Sequence, residues 1–206
     1  MQFNKYFDAI FLVNLDRRPE RLKSSCDELS KHNITDILRY PAIDGNEIEY
    51  HGKLNAGQIG CTLSHLGIVK YAKEQNLEKI FIFEDDISLA DNFNDVMASA
   101  LSELPDNWDM FYAGGNHLKS FNPFSHHLVK LNGTLTTHAY GIHSRFYDTI
   151  INTIEASFNE VIDVYYFILH ANSSSYCTNP KIAFQTPGYS DLENREVNYT
   201  VLNNVL

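Results

Sequence analysis

Lys79-Ile80-Phe81-Ile82-Phe83-Glu84-Asp85-Asp86 is the stretch on which the fold turns. Consecutive apolar residues without apolar–polar alternation predict a strand buried on both faces, as strands of parallel sheets are. That strand ends in three carboxylates. Like charges in a row repel, and no strand terminus requires them. A hard divalent cation held by oxygens is the most economical compensation, and such ions commonly bring substrate phosphates with them. Open α/β sheets also bind ligands beyond the carboxyl ends of their strands. In an extended backbone Glu84 and Asp86 face one side and Asp85 the other. Glu84 and Asp86 are therefore the expected metal ligands, and Asp85 is expected to face a loop or the edge of a nucleotide. A solvated acidic turn would carry the same carboxylates but would not need the buried strand before them.

Outward from this strand, the first half of the chain alternates strand and helix. A strand over Asp8 to Leu15 is followed by Asp16-Arg17-Arg18-Pro19-Glu20-Arg21, where Asp16 can cap a helix and Pro19 suits its first turn. The helix is predicted to about His32. Thr35 to Tyr40 reads as a second strand, entering a loop at Pro41-Ala42-Ile43-Asp44-Gly45. Gly57 to Glu74 is predicted helical, with Ile59, Leu63, Leu66 and Val69 at helical spacing. After the acidic strand come a helix over Asp91 to Leu104 and a strand over Trp108 to Tyr112. This β-α-β-α-β-α-β order predicts an α/β fold with a mostly parallel sheet and helices on both faces. The second half is less regular. His127 to Leu131 and Leu135 to Ile142, joined by Asn132-Gly133-Thr134, suggest a hairpin. Helices over Ser144 to Ala156 and Val161 to His170 follow, then a strand near Lys181 to Gln185 and an irregular polar tail from Ser190.

With 206 residues the chain is expected to form a single domain, a nucleotide-binding half over 1–116 and an acceptor half over 117–206. Its net charge of −10 and lack of a basic block argue against nucleic acid as a partner. Cys26, Cys61 and Cys177 read as reduced, buried thiols, not as a disulfide framework or a zinc site. The N-terminal residues contain no signal-peptide pattern, and no apolar run is long enough for a transmembrane segment, so a cytoplasmic location is expected.

At the end of the first strand, Asn14, Asp16, Arg17 and Arg18 place short polar groups and guanidiniums where a ligand would sit, and arginine suits bidentate phosphate contacts. Solvated basic residues on a capped helix would read the same way. Asp44 is suited equally to ordering its loop or to holding a ribose. Gly60, Ser64 and Gly67 fall on one helical face, which lets a backbone or a ligand approach closely. His65 on that helix is suited to a ligand site or to a satisfied place in the core. Asp163 interrupts the apolar run Val161-Ile162-Asp163-Val164-Tyr165-Tyr166-Phe167 and must be hydrogen-bonded, paired or functional. Asp191 lies in the loop Pro187-Gly188-Tyr189-Ser190-Asp191.

Taken in order, Val13-Asn14-Leu15-Asp16-Arg17-Arg18-Pro19-Glu20-Arg21, Ala42-Ile43-Asp44-Gly45, Gly60-Cys61-Thr62-Leu63-Ser64-His65 and Phe83-Glu84-Asp85-Asp86 resemble glycosyltransferase family 25, which includes bacterial lipooligosaccharide galactosyltransferases and procollagen galactosyltransferases. Thr137-His138-Ala139-Tyr140-Gly141-Ile142 is similar to that family's Ala-Tyr segment. The resemblance implies a GT-A fold and an inverting transferase. Mn²⁺ or Mg²⁺ on Glu84 and Asp86 would hold the diphosphate of a UDP-sugar donor, UDP-galactose or UDP-glucose. Asn14, Asp16, Arg17, Arg18, Asp44, Ser64, His65, Glu84 and Asp85 are the expected donor-site residues. By position after the Ala-Tyr segment Asp163 is the preferred base, with Asp191 as second choice or as a further metal ligand. The acceptor would be a glycan or a glycosylatable protein such as a hydroxylysine-bearing one, and a homodimer is the assembly to look for.

Two other classes of function fit parts of the sequence. A non-catalytic sugar-nucleotide-binding or scaffold domain could keep the fold, although it would be free to lose the carboxylates. Phosphoryl-transfer enzymes also place carboxylates at strand ends, but they need an aspartate nucleophile with partners that this chain lacks: the residue two beyond Asp86 is Ser88, not part of an Asp-x-Asp-x-Thr arrangement.

Overall fold

The structure is a computed structural model that describes residues 2–117, 122–193 and 195–198. In chain order its elements are α1 (Phe3–Tyr6), β1 (Ala9–Asn14), α2 (Pro19–Lys31), β2 (Ile37–Pro41), α3 (Ala56–Glu74), β3 (Lys79–Glu84), β4 (Ile87–Leu89), α4 (Phe93–Glu103), β5 (Met110–Tyr112), β6 (Asn116–His117), β7 (Asn122–Pro123), β8 (Leu128–Lys130), β9 (Thr134–Leu135), β10 (Ala139–His143), α5 (Tyr147–Ala156), α6 (Ile162–His170), β11 (Ser175–Thr178), β12 (Ala183–Gln185), β13 (Gly188–Ser190) and β14 (Arg195–Val197). Short 3₁₀ turns occupy Gly45–Glu47 and Ser144–Phe146.

Eight strands form the central sheet in the order β2-β1-β3-β10-β5-β11-β8-β7. β2, β1 and β3 are mutually parallel, and β10 and β8 run against the other strands. The sheet is thus mostly parallel in direction, with helices on both faces, the GT-A type of arrangement. β3 lies inside it, and its side chains alternate between two apolar layers. Phe81 and Phe83 join Ile10 and Leu12 beneath α2 and α4. Ile80 and Ile82 join Phe11 and Val13 beneath α3, α5 and α6. Residues 80 to 83 are fully buried. Both faces demand apolar side chains, so the period of two is hidden in the sequence.

Several expectations are corrected. Leu128–Lys130 and Ala139–His143 do not form a hairpin: β8 pairs with β11 and β7, whereas β10 inserts antiparallel between β3 and β5. Gly133 has φ +156°, outside the left-handed turn geometry that an Asn-Gly hairpin uses, and β9 after it pairs with β6. Asp16 does not cap α2. The N-cap is Arg18, without a side-chain bond, and Asp16 pairs instead with Arg39. Cys26 is exposed, and Cys61 only partly buried; all three thiols are free. The tail is not wholly irregular, since Gly188–Ser190 pairs with Arg195–Val197; residues 199–206 lie outside the described residues. No helix among the described residues is long and apolar enough to cross a membrane.

The start of α3 is fixed by a reciprocal cap that the sequence carries as Asn55-x-x-Gln58. Gln58 N–H donates to Asn55 Oδ1 at 2.9 Å, and Asn55 N–H donates to Gln58 Oε1 at 3.0 Å. Its small-residue face receives the turn after β2. A Cβ on Gly60 would lie 2.4 Å from the Ile43 carbonyl oxygen, and one on Gly45 would lie 2.9 Å from Gly60 N. Tight backbone contact here explains the tolerance of glycine inside the helix.

Candidate active site

A cleft of about 690 Å³ opens over the carboxyl ends of β1 and β3. Of the residues expected from the sequence, Asn14, Arg17, Asp44, Ser64, His65, Glu84, Asp85, Asp86, Asp163 and Asp191 line it, whereas Asp16 and Arg18 do not.

Glu84 and Asp85 point different ways. Glu84 turns toward α3: its Oε1 lies 3.2 Å from His65 Nε2 and accepts from Thr137 Oγ1 at 2.6 Å. Burial raises this carboxyl, but the bonds from His65 and Thr137 outweigh it and hold it below its ordinary value. Asp85 turns toward α2, accepting from Asn14 Nδ2 at 2.6 Å and Arg21 Nη1 at 3.1 Å. Burial nevertheless raises it. Asp86 is pushed up to about 7, first by burial and then by the neighbouring Glu84 charge. Its Oδ1 is buried without a hydrogen-bond partner. An unmatched buried acceptor beside two more carboxylates is costly, and a hard cation is the partner such a set fits.

Facing the acidic turn is a basic cluster. Arg18 holds Asp191 through Nε at 2.9 Å and Nη2 at 3.1 Å, and Arg17 reaches Asp191 at 3.1 Å and also pairs with Asp44. Arg21 donates to the Tyr189 carbonyl at 2.8 Å. These contacts draw the β13–β14 hairpin over the cleft. Asn55 Nδ2 donates to the Leu192 carbonyl at 3.2 Å on the other side. Burial would raise Asp191, but Arg18 and Arg17 keep its carboxyl low. Asp44 also orders its own loop, accepting from Asn46 N–H at 3.0 Å.

Asp163 lies in the first turn of α6 and faces the same cleft. Burial, with Glu84 adding to it, raises its carboxyl; backbone N–H groups of Thr136, at 3.4 Å, and of Val164 and Asp163 itself act to lower it but do not prevail. Ser64 lines the cleft, but its hydroxyl accepts from Ile43 N–H at 2.8 Å and donates to the Gly60 carbonyl at 2.6 Å, holding the turn on α3. His65 is 1% exposed, and its Nδ1 lies 2.7 Å from Tyr140 Oη.

Arg21, Thr137, Arg39 and Gln185 also build the site and were not singled out by sequence. Arg21 had a signal, one turn into the helix that Arg18 begins. Thr137, which bonds Glu84, opens the Ala-Tyr segment, whereas Arg39 on Asn14 and Gln185 on Asp86 come from distant segments with no local pattern. Together the carboxylates, the orphan Asp86 oxygen and the facing arginines suit a divalent cation carrying an anionic ligand, with Asp163 as a nearby proton acceptor.

Several known proteins are similar to this chain. Procollagen galactosyltransferase 1-B of Xenopus laevis is 31% identical over 140 residues, covering 57% of this chain and 23% of that protein. The probable inactive glycosyltransferase 25 family member 3 of Rattus norvegicus is 30% identical over 143 residues, covering 57% of this chain and 24% of that protein. The chain thus spans about a quarter of the length of these relatives. Among solved structures, A197 from STIV superposes with a TM-score of 0.47 at 13% identity, over 86% of this chain and 93% of that one. Mannose-1-phosphate geranyltransferase from Thermus thermophilus gives 0.43 at 9% identity, over 82% and 72%. Residues 7–183 match glycosyltransferase family 25 (LPS biosynthesis protein), a span that runs from just before β1 to the start of β12 and takes in the acidic turn and Asp163. On the strength of that match the chain belongs to glycosyltransferase family 25.

Proposed function

We propose that the cleft transfers galactose or glucose from a UDP-sugar to a glycan or a hydroxylysine-type acceptor with inversion at the anomeric carbon. The observation that carries this reading is the buried, unpartnered Asp86 Oδ1 beside Glu84, opposite a cluster of arginines. Glu84 and Asp86 would hold Mn²⁺ or Mg²⁺, which when bound offsets charge gathering on the departing diphosphate. Arg17 and Arg21 supply guanidinium groups at the same cleft for phosphate oxygens. Asp163 takes the proton of the acceptor hydroxyl as its oxygen bonds to the anomeric carbon and the bond to UDP breaks. Its raised basicity suits that task. Asp191, with both oxygens on arginines and a lowered pKa, suits it less and serves better to anchor the hairpin.

The name of the rat relative gives a second reading, a domain that binds the donor without turning it over. Released UDP separates the two. The purified chain is incubated with UDP-galactose, UDP-glucose or UDP-N-acetylglucosamine, with Mn²⁺ or with EDTA. The expected result is slow hydrolysis of one donor that requires metal and is lost in Asp86→Asn. Metal-dependent binding without release would favour the non-catalytic reading, and release indifferent to EDTA and to Asp86→Asn would refute the assignment of the donor site.

A further inference from the structure

We propose that Cys61, His65 and Glu84 form a second cation site in the same cleft, selective for a thiophilic divalent ion of the Zn²⁺ class. Cys61 and His65 are four residues apart on α3 and so share one face of the helix. Glu84 at the end of β3 meets that face. One ligand atom from each of the three lies within 4.8 Å of the others. The 3.2 Å between His65 Nε2 and Glu84 Oε1 is close to what two ligands at about 2.0–2.2 Å subtend at a tetrahedral centre. All three residues line the cleft, which supplies an entry path and leaves the fourth position open to water or a ligand.

A second observation supports the site. Ligating histidines characteristically donate their other ring N–H to a fixed partner, and His65 Nδ1 lies 2.7 Å from Tyr140 Oη, itself 3.3 Å from Tyr166 Oη. Tyr140 is fully buried. When Nε2 gives its lone pair to the ion, Nδ1–H donates to Tyr140 and the Tyr140 hydroxyl donates to Tyr166. The Cys61 thiol proton leaves to solvent as the Zn–S bond forms. Softness separates this donor set from the neighbouring carboxylates: a thiolate and an imidazole favour zinc over magnesium or manganese, which prefer oxygen. Glu84 belongs to both sets, so zinc and the donor's cation would exclude one another; that consequence, unlike the zinc site, rests on the proposed transferase reading.

The test uses the whole chain and metal alone. Calorimetric titration with Zn²⁺ is expected to show one site per chain. Co²⁺ in its place is expected to give the absorption of a tetrahedral ion with a thiolate charge-transfer band. Cys61→Ser should remove that band and weaken zinc by more than about 100-fold, beyond the loss usual for an outer-shell partner. Tyr140→Phe should weaken it by about 10-fold. Lys23→Ala, exposed on α2 and outside the cleft, should change zinc affinity by less than about threefold, well under an outer-shell loss. Cobalt without a thiolate band, or zinc affinity unchanged in folded Cys61→Ser, would overturn the site whatever the outcome with UDP-sugars.

Discussion

The side-chain amide of Asn14 donates to Asp85 Oδ2 at 2.6 Å, tying the end of β1 to the acidic turn after β3 across 71 residues of sequence. The same amide donates to the Arg18 carbonyl at 2.9 Å, and its oxygen accepts from Arg39 Nε at 3.1 Å. Asn14 is 1% exposed, so three of its four hydrogen-bonding positions are filled where water hardly reaches. It acts as the joint between the donor-side loop and the carboxylates.

Removing that joint should cost stability first. Asn14→Ala leaves Asp85 and Arg39 short of a partner in a largely buried place, a loss of about 2 kcal/mol. For a domain of this length the melting temperature should fall by about 4–8 °C. Thermal denaturation followed by circular dichroism measures it, and an unchanged melting temperature would show that water replaces the amide without cost.

Asp163 separates binding from chemistry. It faces the cleft without a salt bridge to any of the described residues, and its hydrogen bonds come from backbone N–H groups. Asp163→Asn should retain UDP binding by calorimetry within about threefold and reduce transfer by at least about 100-fold, the scale of a lost general base. Loss of UDP binding together with transfer would assign Asp163 to the donor site instead.

Gly60 tests the contact between α3 and the turn after β2. Alanine there gains about 1 kcal/mol of helix propensity. Its Cβ, however, would meet the Ile43 carbonyl oxygen at 2.4 Å and Gly45 N at 2.8 Å, both backbone atoms. The clash should win, with a net destabilisation of about 1–3 kcal/mol in urea titration. It should also weaken UDP binding, because the displaced turn carries Asp44. A stabilised Gly60→Ala protein would mean that the turn can move aside freely.

Away from the cleft, Glu103 should govern part of the acid sensitivity. It accepts from His127 N–H at 2.9 Å, lies 2.6 Å from His127 Nδ1, and accepts from Ser125. Burial acts to raise its carboxyl, but these bonds prevail and lower it to about 2. The folded value lies below the unfolded value of 4.5, so the stabilisation is present above about pH 4.5 and is lost as pH falls toward 2. The pair is partly solvent-screened, which limits its worth to about 1–2 kcal/mol. Glu103→Gln should therefore be less stable than the parent near neutral pH and converge with it in strong acid. Parallel stability curves across that range would remove Glu103 from the account.

The strand at Lys79–Glu84 was legible because both of its faces pack against helices, so that every inward position on either side had to be apolar. The carboxylates after it were legible as a cluster because they are adjacent in sequence, whereas the group each one meets was not. The misread hairpin at Asn132-Gly133 shows the opposite case. Two short apolar runs with a turn-forming pair between them satisfy local rules, but Ala139–His143 gains more by entering the sheet between β3 and β5. There Tyr140 and Ile142 are completely buried. Asp16 failed as a cap for a similar reason, because Arg39 from β2 offers it a charged partner.

The alternating first half, the two-sided burial of the acidic strand, the arginine-rich exit from β1 and the glycine face of α3 could all be read from the order of residues. Each of these rests on periodicity, propensity or local charge within a few residues. Folding was needed to show that Asn14 joins Asp85, that Asp191 is held by Arg17 and Arg18, and that Cys61, His65 and Glu84 converge. Those pairings depend on which strands become neighbours, and that is set by burying the whole sheet at once, an energy no short window of residues contains.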